Sequence, residues 1–347
     1  MNLIEEKQKK NITLIELKND YLNHVKNKID ADTYKSKETK LNHFCELDNT
    51  NQVQTFPNKL INSFTKEMYI KWQTQMKAKT YKKGQCGKQS FTMSIDHLNR
   101  IHNEICAMLD YGQIENKVVN NFAKQVGKFG TPKEITISRK SRKYEVIDYE
   151  EYLKLMEVTK NDPKYNTLFD LWFSRGPRPG EVRAFRILDY NYEKKQLTVN
   201  HTLSKSNELK EPKTASSKAS IDLDDNLNEK INNLINILKK QPDFNNHWYI
   251  FNGATPISSN SMEHNKNKYF ELAKINKHLR LHDFRHSCAT WLFSIGIPIT
   301  VISKILRHKD ISITMSTYTH LMKKDYDNAL NKLNNIKQDK KQDQNKF

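Results

Sequence analysis

Side chains that could act on a phosphate group recur in four separate segments of the second half of the chain. The segments read SRGPRPGEVRAFR, EPKTASSKASIDL, LHDFRHSCATWL and LRHKDISITMSTYTHL. A guanidinium binds phosphate oxygens through paired hydrogen bonds and stays protonated, and an imidazole titrates near neutral pH. These residue types together suit chemistry on an anionic group. The candidates are Arg178, Glu181, Lys213, His282, Arg285, His308 and Tyr318.

Each candidate has an ordinary structural explanation when it is taken alone. Arg178 and Glu181 stand three residues apart at the start of a predicted helix, which is the spacing of a surface ion pair. Tyr318 falls on one helical face with Ile311 and Met315, as a core tyrosine would. The functional interpretation therefore depends on the whole set and on its order along the chain.

Taken in order, the four segments resemble the tyrosine recombinase (phage integrase) family. That family has an Arg followed three residues later by an acidic residue, and then a Lys in the turn between two strands. An H-x-x-R box, a further His and a Tyr about ten residues after it complete the pattern. The resemblance covers residues 145–325, and the matching residues are Arg178, Glu181, Lys213, His282, Arg285, His308 and Tyr318.

The sequence departs from the family pattern at two places. The family's first box normally opens with Thr-Gly, whereas Arg175, Gly176 and Pro177 precede Arg178 here. The residue before the later His is usually Gly, whereas Arg307 stands there in this chain. Pro177 could stiffen the turn that presents Arg178, since its ring restricts the backbone. Arg307 could either crowd the site or add a phosphate contact.

The resemblance implies that the chain cleaves DNA by transesterification. Arg178 and Arg285 would then bind the scissile phosphate, where negative charge builds up in the transition state. Tyr318 would be the nucleophile and would form a 3′-phosphotyrosine that stores the bond energy for rejoining. Glu181 would orient the turn that carries Arg178.

The remaining roles concern proton transfer. A phenol with an ordinary pKa near 10 is a weak nucleophile at neutral pH, so Tyr318 needs a base, and His282 is the better candidate. His308 would bond a phosphate oxygen. By resemblance Lys213 protonates the leaving 5′-oxygen, although three other lysines lie nearby: Lys205, Lys210 and Lys218.

The sequence predicts that no cofactor and no metal ion take part. No carboxylates are clustered as a two-metal nuclease requires, and the histidines lack the H-E-x-x-H spacing. No glycine-rich loop of the kind that binds nucleotides is present. The four cysteines are scattered and fit neither a disulfide framework nor a zinc site.

The predicted fold is mainly α-helical with a small antiparallel β-sheet, in two domains. Residues 1–126 resemble a helical core-binding domain, 127–144 a basic linker, 145–325 an α+β catalytic domain, and 326–347 a C-terminal helix and polar tail. Capping boxes at Thr13–Glu16 and Asp148–Glu151 mark the starts of helices. Further helices are predicted over 33–47, 66–79 and 91–109, and short strands between Gln196 and Leu223.

A formal net charge of +18 indicates a polyanionic partner, of which nucleic acid is the commonest. Two basic segments are candidate DNA contacts: the loop KAKTYKKGQCGK and the linker. No secretion signal and no membrane span are evident, so a cytoplasmic, nucleoid-associated protein is expected. The candidate contacts are Lys79, Lys82, Lys83, Arg139, Lys140, Arg142 and Lys143.

By resemblance the partners are double-stranded DNA and three further copies of the chain, in a tetramer on two DNA sites. An accessory protein that bends DNA or sets the direction of recombination is compatible with this. A mobile-element integrase is the favoured interpretation. The alternatives are a Xer-type resolvase, a type IB topoisomerase with the same chemistry, or a non-catalytic DNA-binding protein that kept the fold.

Overall fold

The computed structural model describes residues 12–83, 89–140, 145–204, 206–211, 219–308 and 310–311, without the side chains of 83, 89 and 137–140. The chain divides into two compact units, Met1–Lys143 and Tyr144–Phe347. Both are mainly helical with short antiparallel strands, which confirms the predicted fold class. In the described ranges, no helix is long and apolar enough to cross a membrane.

The helices of the first unit begin where side chains cap them. Thr13 and Glu16 form the predicted capping box, and the carboxylate of Asp30 accepts the N–H of Thr33 at 3.0 Å. The second helix therefore starts at Ala31, two residues earlier than predicted. The helices are α1 (Leu14–Lys26), α2 (Ala31–Cys45), α3 (Lys66–Ala78), α4 (Ile95–Ile114), α5 (Phe122–Val126) and α6 (Pro132–Lys140).

Two sequence expectations in this unit are wrong. Part of the Lys-rich loop forms one strand of a β-hairpin, in which β1 (Thr80–Lys83) pairs with β2 (Gln89–Thr92). Phe91 was expected to open the fourth helix, but it lies in β2 beside Tyr81, and Ser94 caps α4 instead.

Helix α6 lies within the segment that was interpreted as a linker. A core cluster of aromatic rings includes Phe44 and Trp72, with ring centroids 5.0 Å apart.

The second unit places three described α-helices before its small strands and four after them. Asp148 and Glu151 form the predicted capping box of the first of these helices. Three strands form one antiparallel sheet in the order β3-β4-β7, and β5 pairs with β6. The helices are α7 (Tyr149–Val158), α8 (Pro163–Arg175), α9 (Pro179–Ala184), α10 (Asp225–Lys239), α11 (Ser259–Leu272), α12 (Asp283–Ser294) and α13 (Ile299–Ile305). The strands are β3 (Tyr190–Asn191), β4 (Gln196–Thr198), β5 (Thr202–Leu203), β6 (Leu209–Lys210) and β7 (Ser220–Asp222).

Aromatic packing fixes α12 against α8. The rings of Trp172 and Phe284 stack with centroids 5.1 Å apart, and Phe169 stacks on the same Phe284 ring at 5.7 Å. All three side chains are fully buried. The helix that carries His282 and Arg285 is thus held against the helix that leads into Arg178.

Candidate active site

A tight turn between α8 and α9 presents Arg178. Gly176 ends α8 with a left-handed backbone (φ +58°), and a Cβ there would lie 2.7 Å from Leu306. Glycine is favoured for both reasons. A Cβ on Gly180 would lie 2.7 Å from the carbonyl oxygen of Leu203, so α9 packs directly on β5. The turn therefore has little freedom to move.

Glu181 holds this turn from inside the protein. Its Oε2 accepts the backbone N–H of Arg178 at 2.8 Å, and its Oε1 accepts an Nη1–H of the same arginine at 2.8 Å. Glu181 is buried while the Arg178 side chain is 39% exposed, so this is not the surface ion pair considered above. The arginine keeps an accessible face, as phosphate binding requires.

Arg285 joins the first box to the segment that ends at His308. Its Nη1 donates to the carbonyl oxygen of Gly176 at 2.9 Å, and its Nη2 donates to the carbonyl oxygen of Leu306. Burial, and then the charge of Arg178, lowers the pKa of Arg285 to about 9. The guanidinium therefore remains charged at neutral pH.

His308 is placed by the turn that ends α13. The N–H of His308 donates to Ser303 O at 3.0 Å and that of Arg307 to Lys304 O at 2.9 Å, which is the Schellman pattern. Arg307 occupies the left-handed position of this motif, with φ +57°. Glycine is favoured at such a position, which explains the family's usual residue there.

The Arg307 side chain turns inward and binds Glu181. The side chain is 4% exposed, and its Nη2 donates to Oε2 of Glu181 at 2.6 Å. The carboxylate of Glu181 therefore binds Arg178, three residues before it in the chain, and Arg307, 126 residues after it. Sequence reasoning had considered crowding or a phosphate contact for Arg307, and it missed this partner.

The pKa values of the histidines in the site are lowered, which favours their neutral forms. Burial, and then the charges of Arg285 and Arg178, lowers the pKa of His308 to about 4. The pKa of His282 is lowered by partial burial and by Arg285, with a further contribution from Arg178. The charges of Arg285 and Arg178 lower the pKa of both histidines. The bonds of Arg285 to Gly176 and Leu306 bring the segments of Arg178, His282 and His308 together. Tyr318 and Lys213 lie outside the described residues.

A second histidine lies beside His282. The rings of His282 and His286 are 5.6 Å apart, and burial followed by the charge of His282 lowers the pKa of His286 to about 4. In the described part of the chain, no three His, Cys, Asp or Glu side chains are grouped as metal ligands would be.

We expect the imidazole of His308 to titrate well below the ordinary histidine pKa of about 6.5. NMR titration of the folded protein should give a midpoint near pH 4, with His308→Asn used to assign the resonance. Because the unfolded chain binds the proton more tightly, the free energy of unfolding should fall as the pH drops from about 6.5 toward 4. A folded-state midpoint at or above 6.5 would contradict this electrostatic description.

Arg183 is a buried structural residue that the sequence analysis missed. It is 3% exposed, and its guanidinium donates to the carbonyl oxygens of Ile257 and Ser204, each at 2.9 Å, and to Asn207. It therefore ties α9 to the β5–β6 hairpin. The available signal was an arginine flanked by Val182 and Ala184 in an apolar run.

The candidate DNA contacts fall into three groups. Lys79 is 8% exposed, and its ammonium binds Asp48 at 2.7 Å, which argues against a direct phosphate contact. Lys82 is exposed on β1. Lys83, Arg139 and Lys140 have backbones in β1 or α6 with side chains outside the description, and Arg142 and Lys143 lie outside it altogether.

Residues 145–325 match the model of the phage integrase family, and the chain belongs to that family. The chain is therefore a tyrosine recombinase, an enzyme that cleaves and rejoins DNA strands. This confirms the family inferred from the order of the four segments.

Curated relatives include both proteins with Xer names and integrases of phage or prophage origin. The tyrosine recombinase XerC-like protein of Caldanaerobacter subterraneus subsp. tengcongensis is 28% identical over 277 residues, which is 73% of this chain and 68% of the relative. The prophage ps2 probable integrase of Lactococcus lactis subsp. lactis is 33% identical over 176 residues, 46% of each protein.

Solved integrase structures share the fold. The Tn1549 transposon integrase in complex with a circular intermediate DNA has a TM-score of 0.66 at 15% identity, covering 88% of this chain and 94% of that one. A lambda integrase dimer bound to a COC′ core site has a TM-score of 0.61 at 13% identity, covering 88% and 77%. At these identities the likeness establishes the architecture alone.

Proposed function

We propose that this chain integrates or excises a mobile element by cleaving duplex DNA through Tyr318. The observation that carries the proposal is the contact network of Arg285. One guanidinium bonds Gly176 next to the first box and Leu306 next to His308, so three separate segments converge on one positively charged site.

Arg178 and Arg285 would bind the scissile phosphate from two sides. Two of the five N–H donors of Arg285 bond backbone carbonyls, which leaves others for phosphate oxygens. Preorganised donors of this kind stabilise the charge that develops on the non-bridging oxygens. Glu181 keeps the Arg178 turn in place while the arginine's outer face stays accessible.

The chemical step would exchange one phosphodiester bond for another. The Tyr318 oxygen forms a bond to phosphorus as the bond to the deoxyribose 5′-oxygen breaks. The phenolic proton passes to His282, whose lowered pKa keeps it neutral at working pH, and Lys213 protonates the 5′-oxygen. His308 would bond a phosphate oxygen, and no cofactor or metal ion is required.

The partners we propose are duplex DNA and other copies of the same chain. The net charge of +18 and the exposed Lys82 support DNA binding. Arg139, Lys140, Arg142 and Lys143 remain proposed contacts, as does Lys83. A tetramer on two DNA sites is proposed by analogy, since a lambda integrase tetramer bound to a Holliday junction shares the fold at a TM-score of 0.60. Cytoplasmic, nucleoid-associated action follows from a DNA substrate.

A Xer-type resolvase is the second candidate, because several curated relatives carry Xer names. The two candidates share the catalytic residues and differ in the DNA that they recombine. Duplexes from the boundary of the encoding element and from a chromosomal dimer-resolution site therefore distinguish them.

The first experiment uses a nicked duplex from the element boundary, with EDTA present, and compares wild type with Tyr318→Phe. A slow-migrating covalent protein–DNA band on a denaturing gel is expected for wild type alone. Mobility shifts at low and moderate salt should show steeply weakening affinity for both proteins, because phosphate contacts release counterions. A covalent band with Tyr318→Phe would assign the nucleophile elsewhere, and tight binding without any band would favour the non-catalytic alternative.

A further inference from the structure

The carboxylate of Glu181 is shared by two guanidinium groups. Oε1 accepts from Nη1 of Arg178, and Oε2 accepts from the backbone N–H of Arg178 and from Nη2 of Arg307. The side chains of Glu181 and Arg307 are each 4% exposed, whereas that of Arg178 is 39% exposed. The inner arginine therefore binds the carboxylate under much stronger desolvation than the outer one.

The backbone at Arg307 is unfavourable for any residue with a side chain. Its φ of +57° lies in the left-handed region, where glycine has no steric penalty. Its Nε–H is also buried, with no hydrogen-bond partner among the residues that the structure describes. Among the described residues its side chain also donates from Nη1 to the carbonyl oxygen of Ile305 at 3.3 Å, and the shorter ion pair with Glu181 must offset most of both penalties.

The net charge of the group formed by Arg178, Glu181 and Arg307 determines how the Glu181–Arg307 ion pair affects a bound phosphate. Arg178 and Glu181 alone would form a pair without net charge, and the carboxylate would cancel most of the field that Arg178 presents to a phosphate. With Arg307 the group carries one net positive charge. Although burial would raise the pKa of Glu181, the charges of Arg307 and then Arg178 lower it, so the carboxylate stays ionised between them.

We propose that Arg307 is a positioning residue for the cleavage reaction. It neutralises the inner side of Glu181, so that the Arg178 guanidinium meets the scissile phosphate with its positive charge largely uncancelled. It also ties the Arg178 turn to the turn that places His308. The inference rests on the proposed function, because it assigns Arg307 a part in the same phosphate site.

The test compares Arg307→Gly, Arg307→Asn and Arg307→Lys in the full chain. Gly and Asn both accept the left-handed backbone and remove the charge, while Lys keeps the charge. We expect cleavage at saturating DNA to slow about 10- to 100-fold for Gly and Asn, less than the roughly 10²–10³-fold typical for losing a direct oxyanion donor. Lys should restore part of the rate, and DNA affinity should change little, because the Arg307 side chain is buried.

Substrate charge separates electrostatic positioning from structural damage. A methylphosphonate at the scissile position lacks the negative charge, so Arg307→Gly should slow its cleavage much less than that of the phosphodiester. In a double-mutant cycle of Arg307→Gly and Glu181→Gln, the double variant should lose less cleavage activity than the two single losses combined, because Arg307 acts through that carboxylate. Equal losses on both substrates, additive losses in the cycle, or an unchanged rate for Arg307→Gly would each overturn the proposal.

Unfolding measurements on wild type, Arg307→Gly, Glu181→Gln and the double variant test the ion pair independently of activity. Coupling between positions 181 and 307 in urea unfolding supports the contact, and its absence overturns the proposal at its first step. If coupling is present but wild type forms no covalent complex with any tested duplex, the proposed function has failed, and the positioning role fails with it.

Discussion

Replacing Arg285 with lysine is expected to slow strand cleavage by roughly 10²–10³-fold, the cost of losing a preorganised oxyanion donor. The guanidinium makes two backbone contacts, to Gly176 and Leu306, and must still reach the phosphate. A lysine ammonium is a single point of donation and cannot replace this fork. Single-turnover cleavage of the nicked duplex at saturating protein measures the effect, with affinity followed by mobility shift.

Arg183→Lys is the matched control for this substitution. Arg183 is also 3% exposed and also donates to two backbone carbonyls, but these belong to Ile257 and Ser204, outside the segments that carry His282 and His308. Both variants should lose about 1–3 kcal/mol of stability through unsatisfied carbonyls. Only Arg285→Lys should lose most of the cleavage rate. Equal loss of cleavage in the two variants would indicate that Arg285 has a structural role alone.

The candidate site could be predicted from sequence because its chemistry depends on residue types in a fixed order. Arg178, His282, Arg285 and His308 were all identified in this way, and the structure brings them together. The partner of Arg307 could not be predicted, because it lies 126 residues away and its contact depends on tertiary packing. Motif spacing carries no information about which carboxylate a buried arginine will meet.

In the fold as well, local sequence patterns predicted some features, while features that depend on tertiary contacts were missed. The capping boxes at Thr13 and Asp148 predicted helix starts correctly, because a cap is a local hydrogen-bond pattern. The β1–β2 hairpin was missed, since Lys-rich strands with one exposed face lack the apolar alternation that marks a strand. Lys79 appeared to be a free charge because its partner, Asp48, lies 31 residues earlier in the chain, and sequence spacing does not reveal that contact.

Replacing Glu181 with leucine is expected to destabilise the second unit by about 3–5 kcal/mol, because it leaves Arg307 as a buried charge without its partner. Loss of the carboxylate should cost less free energy at Arg178, since its exposed guanidinium can be hydrated. Cleavage should also be lost, as the Arg178 turn loses both of its carboxylate contacts. Urea unfolding followed by tryptophan fluorescence suits the measurement, because Trp172, Trp248 and Trp291 report on this unit.

The double variant Glu181→Leu with Arg307→Gly separates the buried charge from the lost packing. Removing both partners leaves no unpaired ion, and glycine relieves the left-handed backbone at position 307, so most of the lost stability should return. Cleavage should not return, because the Arg178 turn remains unsupported. If the double variant were as unstable as Glu181→Leu alone, the destabilisation would stem from the packing of Glu181, and the buried ion pair would not be its cause.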